Sequence, residues 1–413
     1  MANELSALLE VAGETVDRLA ITPSQSLHRA IARRSFSAVG PLAAPVRLVH
    51  DGISNTVYTA IRTTASALTA GAASAVKKWN GGADHRPLSA SRSGRQALSV
   101  LNALIGDLLE ERGSDLAIEM SVRHAGHDVA TSVEELRTAY PDASGKVAVF
   151  LHGLAENEES WLRGSSRHDG GDALPFGARL HADLGITPVD VRYNTGLHVS
   201  ENGSKLDLLL EQLIAAWPVE LRELSLIGHS MGGLVARSAY TAATAAKPGR
   251  RWPALTTRVV TLGTPHTGAP LEKAARLASW ALQKVPEAEP LADILDTRSS
   301  GIRDLRHGYL LGDEWRAEDP KRLFDDRRSA VPLLHGCTHV FITASVTRDP
   351  SNPLGWIAGD LLVRTDSASG RHRTRAIPVP PESIVHVGSL THFDLLDHPL
   401  VYERLRAGLT PPA

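Results

Sequence analysis

One cysteine, Cys337, stands among 413 residues. A single thiol excludes any intrachain disulfide and is a poor sign of a metal site. It precedes the apolar run at 339–343, which predicts a buried structural thiol and not a nucleophile. Excess charge is missing too. The 44 Lys and Arg residues against 46 Asp and Glu leave a formal net charge of −2, without the basic surplus of nucleic-acid-binding domains. No run is long and apolar enough to cross a bilayer: the most apolar long stretch, at about 65–76, is rich in Ala, Thr, Ser and Gly and falls short of the ~20 residues a span needs. The first residues, Met1-Ala-Asn-Glu-Leu-Ser-Ala-Leu-Leu-Glu10, lack a basic segment and carry early acidic residues, unlike a secretory signal. These absences predict a cytoplasmic protein with no nucleic-acid partner. No internal repeat is found.

What is present is ordinary for a globular chain: 42% hydrophobic and 22% charged residues. The length suits one large α/β domain plus an appendage, with a core that needs no staples. Residues 1–110 read as a helical N-terminal region. Leu98, Leu101, Leu104, Ile105, Leu108 and Leu109 recur at helical spacing, 46–76 reads as helix broken near Gly52 and Gly71, and a loop is expected at about 80–94. The texture changes near Leu116. Residues 116–123 alternate like a strand, Ala125-Gly-His-Asp128 gives a turn, and Val129 can pair back as a hairpin.

Short apolar runs then follow at 146–152, 186–191, 224–228, 258–262, 339–344 and 383–387, as expected of strands buried on both faces. Helical stretches end near 181–184 and cover 205–216 and 233–246. Strands alternating with helices predict a mostly parallel sheet with helices on both faces. Between 262 and 339 lie about 75 residues, including an amphipathic stretch at 271–282. A long excursion between neighbouring strands suits a lid or cap. The division expected is therefore a helical region over 1–110 and an α/β domain over 111–413 with an insertion at about 267–336.

Gly228-His-Ser-Met-Gly232 matches Gly-x-Ser-x-Gly, a sharp strand-to-helix turn that lifts a serine hydroxyl off the sheet edge. The bare pattern is weak. Its context strengthens it: the apolar strand 224–227 leads in and a helical run from Gly233 leads out. Ser230 is thereby the candidate nucleophile. Its oxyanion would need two backbone amides, assigned to Met231 at the helix start and to Leu154 after the strand ending in His152-Gly153. His152 itself is read as shaping that loop in preference to acting as a base.

Three blocks, Leu151-His-Gly-Leu154, Gly228-His-Ser-Met-Gly-Gly-Leu-Val-Ala-Arg237 and Thr261-Leu-Gly-Thr-Pro-His-Thr-Gly268, resemble those of α/β-hydrolase lipases and esterases, bacterial triacylglycerol-lipase-like enzymes nearest. The resemblance spans roughly 116–410 and leaves the first 110 residues unmatched. It implies the α/β-hydrolase fold, hydrolysis of acyl-lipid-type esters and a triad in the order Ser, acid, His. His392, in the loop between the last strand and a helix expected at 393–409, is the candidate base, ahead of His386 and His398. Asp360, in Gly359-Asp-Leu-Leu-Val363, resembles the family's acid-bearing block and is favoured. Asp349 and Asp366 are the alternatives. The departure from the pattern is Leu361, where the family commonly has glycine.

Related lipases can ligate calcium through an Asp two residues after the triad histidine, here Asp394, but its helix-start position reads better as a cap, and neither metal nor cofactor is expected. Residues 192–203 follow a strand on the expected active-site edge, and Trp161 reads equally as acyl-pocket wall or as a packed surface aromatic. The partner expected is an acyl ester or lipid substrate, with peripheral lipid-surface contact as a further expectation for the N-terminal helices. Thioesterase, polyester depolymerase, amidase and acyltransferase chemistry would use the same triad, and a non-catalytic membrane-surface or scaffold role is the alternative from another class.

Overall fold

The computed structural model describes residues 51, 59, 88–162, 174–269, 299–316, 329, 331–348, 359–371 and 376–410. Contacts divide the chain into two compact units. One comprises Met1–Leu98, Leu108–Ala117 and Ser279–Arg298, the other Ser99–Asp107, Ile118–Ala278 and Ser299–Ala413. The helix expected at 271–282 and Asp349 lie outside the described residues, as does all but Asp51 and Thr59 of the helix expected at 46–76.

Helix α1, Arg92–Glu111, starts inside the loop expected at 80–94, because the Ser91 hydroxyl accepts the Gly94 amide and caps its first turn. The helix is kinked at Ile105.

The second unit is built on eight strands: β1 Ser121–His124, β2 His127–Val129, β3 Lys146–Leu151, β4 Thr187–Arg192, β5 Glu223–His229, β6 Thr256–Leu262, β7 Thr338–Ser345 and β8 Ile384–Gly388. Their spatial order is β2-β1-β4-β3-β5-β6-β7-β8. β1 pairs antiparallel with both β2 and β4, and every pairing from β4 to β8 is parallel. The expected hairpin is present, but β1 starts at Ser121 and not at Leu116. One reason is that the Ile118 amide donates to Asn102 Oδ1 (2.9 Å) instead of joining the ladder.

The crossovers are helical. They include α2 Val133–Ala139, α3 Phe176–Leu184, α4 Val199–Ala216 and α5 Met231–Ala245, followed by α6 Ser300–His307 and the C-terminal α7 Pro399–Leu409. Alternate strand residues face opposite layers. Val147, Val149 and Leu151 join the cluster that holds Leu206 and Leu210 of α4 and Leu234 of α5. Ala148 and Phe150 join the cluster that holds Phe176 of α3 and Tyr402 of α7. At roughly 1.5–3 kcal/mol per fully buried aliphatic or aromatic side chain, burial on both faces fixes the register, since a one-residue slip would exchange the two sets.

The helix expected at 393–409 is two pieces. A 3-10 turn, His392–Leu396, is followed by α7. Pro399 has no N–H to continue the first turn, fits the start of a new helix, and has His398 as its N-cap. Among the described residues, no helix is long and apolar enough to cross a membrane.

Candidate active site

The carboxyl ends of β5, β3, β7 and β8 carry the sequence-predicted residues. β5 ends at His229, and Ser230 turns the chain into α5 with φ 50° and ψ −118°. A non-glycine residue holds such a conformation only when its surroundings impose it. Here the Ser230 amide donates to the Leu262 carbonyl (2.8 Å). The flanking glycines are required by space. A Cβ at Gly228 would collide with the backbone of Gly232 and Gly233, and one at Gly232 with the carbonyls of Leu151 and His152. Met231 is the first residue of α5, where an amide has no intrahelical acceptor, and Leu154 lies in the turn that follows β3.

His392 sits in the 3-10 turn after β8 and is 2% exposed. Its backbone amide donates to the Asp360 carbonyl (2.9 Å), and its Nδ1 donates to Asp360 Oδ2 (2.7 Å). Asp360 is fully buried. Its other oxygen, Oδ1, accepts the amides of Leu362 (3.0 Å) and Val363 (2.7 Å). With Nδ1 committed to the carboxylate, Nε2 carries the lone pair. Burial pulls the His392 pKa down, but the Asp360 charge and its hydrogen bond outweigh burial and hold it above the ordinary value. Ser230 Oγ makes no hydrogen bond among the described residues. His392 is tied to the elbow through His229, whose Nε2 contacts the His392 carbonyl at 3.2 Å; the two rings are 4.6 Å apart.

Leu361 takes φ 84° in the turn between Asp360 and its amide donors, a left-handed backbone that favours glycine. The chain thus keeps the turn and bears the strain. Relief of that strain, about 1–2 kcal/mol, exceeds the ~0.5–1 kcal/mol entropic cost of glycine. Leu361→Gly is therefore expected to raise unfolding stability by about 0.5 kcal/mol, the side chain being 46% exposed. A loss of stability on urea denaturation would contradict this account.

The other titratable candidates have structural partners. His152 Nδ1 donates to the Gly153 carbonyl (2.9 Å) and its Nε2 accepts the Tyr193 amide (3.3 Å), which leaves no site for proton exchange; burial also pulls its pKa down. His386 contacts Thr343 and Ser345 from within β8. His398 accepts the Leu400 amide (3.2 Å). Asp366 lies in the first turn of the short helix Thr365–Ala368. Asp394 Oδ2 accepts both the amide (2.7 Å) and the hydroxyl (2.6 Å) of Thr391, capping the turn that carries His392. Cys337 is half-buried, and burial pushes its thiol up to about 11, so it is not a thiolate at neutral pH. Among the described residues no group of three or more His, Cys, Asp and Glu is arranged to hold a metal ion.

The remaining motif residues bind the blocks to each other. Arg237 Nη1 lies 3.4 Å from His266 Nδ1, and His266 Nε2 lies 3.2 Å from Thr261 Oγ1, so His266 joins α5 to the end of β6. Residues 193–198 are buried and pack with the helices on either side. Asn194 Nδ2 donates to the Gly106 carbonyl (2.9 Å), and His198 stacks on Trp315 and pairs with Asp304 at 3.0 Å. Trp161 is 2% exposed and lies between Phe150 and His229, with ring centroids at 5.0 and 6.2 Å. It is an interior aromatic, and it borders a cavity of about 420 Å³ whose lining does not include Ser230 or His392.

The decisive arrangement is an antiparallel start, a run of parallel strands with helices on both faces, and a strained serine between β5 and α5. This is the α/β-hydrolase fold. The family model for the PGAP1-like alpha/beta domain matches residues 208–321 of this chain, a stretch that includes the elbow. No curated protein matches it. Among solved structures, the mature-form lipase BlEst2 of Bacillus licheniformis is 20% identical, with 64% of this chain and 92% of that chain covered and a TM-score of 0.39. A lipase-esterase related protein of Clostridium acetobutylicum is 13% identical, with 71% and 100% covered and a TM-score of 0.36. A Pyrobaculum calidifontis esterase is 14% identical, with 63% and 75% covered and a TM-score of 0.35.

Two residues of the site escaped the sequence reading. Glu156 and His229 are both buried and pair at 3.0 Å, His229 being the residue before Ser230. His229 is the variable position of Gly-x-Ser-x-Gly, and Glu156 lies in the acidic stretch Glu156-Asn-Glu-Glu159, so neither is marked by periodicity.

Proposed function

We propose that this α/β-hydrolase cleaves carboxylic esters of acyl-lipid type, with Ser230 as nucleophile, His392 as base and Asp360 as the acid that orients it. The observation that carries the reading is the 2.7 Å bond from His392 Nδ1 to a fully buried carboxylate, on a loop that touches the strained elbow through His229. His392 Nε2 takes the Ser230 proton as the oxygen attacks the ester carbonyl. The tetrahedral oxyanion is received by the amides of Leu154 and Met231. His392 then protonates the departing alcohol and activates water to release the acid. Asp360 holds the productive tautomer and stabilises the imidazolium. The division into a helical region over 1–110 and a catalytic domain over 111–413 with a lid at about 267–336 belongs to the same proposal.

A fluorophosphonate probe is expected to form one adduct, on Ser230, in the folded protein. Short and long p-nitrophenyl esters, acyl-CoA and polyester granules then separate ester hydrolysis from the related acyl chemistries. Absence of an adduct would remove the hydrolase reading; turnover of acyl-CoA without turnover of the esters would replace it by a thioesterase.

The pH dependence has a definite sign. His392 must be neutral to accept a proton, and Asp360 holds its pKa above the ordinary value, so the acid limb of kcat/KM is expected above pH ~6.5. In Asp360→Asn the largest raising influences are lost and burial is opposed only by the Glu156 charge, so the limb is expected to move to lower pH than in wild type. A wild-type limb below pH 6 would contradict the pairing.

A further inference from the structure

Glu156 and His229 form a second acid–histidine pair, and it reaches three parts of the site at once. Glu156 Oε2 accepts the Gly153 amide (2.7 Å) and contacts His229 Nδ1 (3.0 Å). His229 Nε2 contacts the His392 carbonyl (3.2 Å). The Glu156 amide also donates back to the Gly153 carbonyl (3.2 Å), so both ends of Gly153 are held by one residue. Glu156, His229 and His392 are 6%, 1% and 2% exposed.

The His229 ring thus bridges the Glu156 side chain and the His392 backbone, one nitrogen to each.

Resting on the hydrolase reading above, we propose that Glu156 and His229 are positioning residues that clamp the oxyanion loop and the base loop onto the nucleophile elbow. Glu156 consumes the Gly153 amide and so orients the next amide, that of Leu154, toward the reacting carbonyl. His229 holds the His392 backbone from the residue next to Ser230. Neither touches substrate. Their effect is on kcat, because a misplaced oxyanion amide or base weakens the transition state without weakening substrate binding.

The test uses the full-length chain. Glu156→Ala is expected to lower kcat on a p-nitrophenyl ester by about 100-fold, the lower end of the range for loss of one oxyanion donor, with KM within about twofold. Glu156→Gln keeps an oxygen that can accept both N–H groups and is expected to stay within about 10-fold of wild type. A Glu156→Ala kcat within threefold of wild type, or a Glu156→Gln loss as large as that of Ala, overturns the clamp. So does a loss that appears in KM alone. Failure of the hydrolase reading is distinct, since it appears as no Ser230 fluorophosphonate adduct in wild type.

Discussion

Ser230→Ala is expected to lower kcat on an ester by about four to six orders of magnitude, the range for removal of a serine nucleophile whose base and oxyanion amides remain. The loss should exceed that of any other single substitution here. Residual turnover would come from Leu154, Met231 and His392 acting on water. The fold should be untouched, because Ser230 Oγ makes no hydrogen bond among the described residues and alanine keeps the Cβ that the φ 50° backbone already accommodates. Steady-state kinetics with a p-nitrophenyl ester, accompanied by a melting curve, check both parts. An unaltered Tm with more than about 1% of wild-type kcat would assign the nucleophile elsewhere.

The second large effect falls on the acid. Asp360→Asn is expected to lower kcat/KM by about 10³–10⁴-fold, as a wrong histidine tautomer does. The structure gives a specific reason. Oδ1 accepts two backbone amides, from Leu362 and Val363, so the asparagine oxygen must take that place. Its amide nitrogen then faces His392 Nδ1, where Oδ2 accepts now. Two donors cannot share that contact, and the ring is driven to the tautomer whose Nε2 bears hydrogen and cannot accept the serine proton. Asp349→Asn is the control and is expected to stay within about threefold of wild type. If Asp349→Asn loses far more than Asp360→Asn, the acid assignment fails.

Parts of this were legible before any coordinates, for identifiable reasons. A strand buried on both faces is written as a continuous apolar run, so β3, β5, β6 and β7 could be read to within a few residues. The elbow could be read because Gly228 and Gly232 stand where the backbone leaves no room for a side chain. Local interruptions were harder. β1 was placed too early because the Ile118 amide is satisfied by Asn102, 16 residues away. The C-terminal helix was read through its break because the cap formed by Asp394 and the stop at Pro399 compete with an otherwise helical pattern.

The sequence alone determined the alternation of strands and helices and the glycine-flanked serine, because these follow from spacing and from residue type. Tertiary structure decided which carboxylate pairs with His392, and it did so through two backbone amides and a backbone carbonyl that no residue identity encodes. It also decided that Leu361 adopts a glycine-like backbone, a choice imposed by the Asp360 turn against the preference of the residue. The Glu156–His229 pair belongs wholly to the folded state: 73 residues separate its members, and only the close approach of the β3 and β5 ends gives the carboxylate a partner.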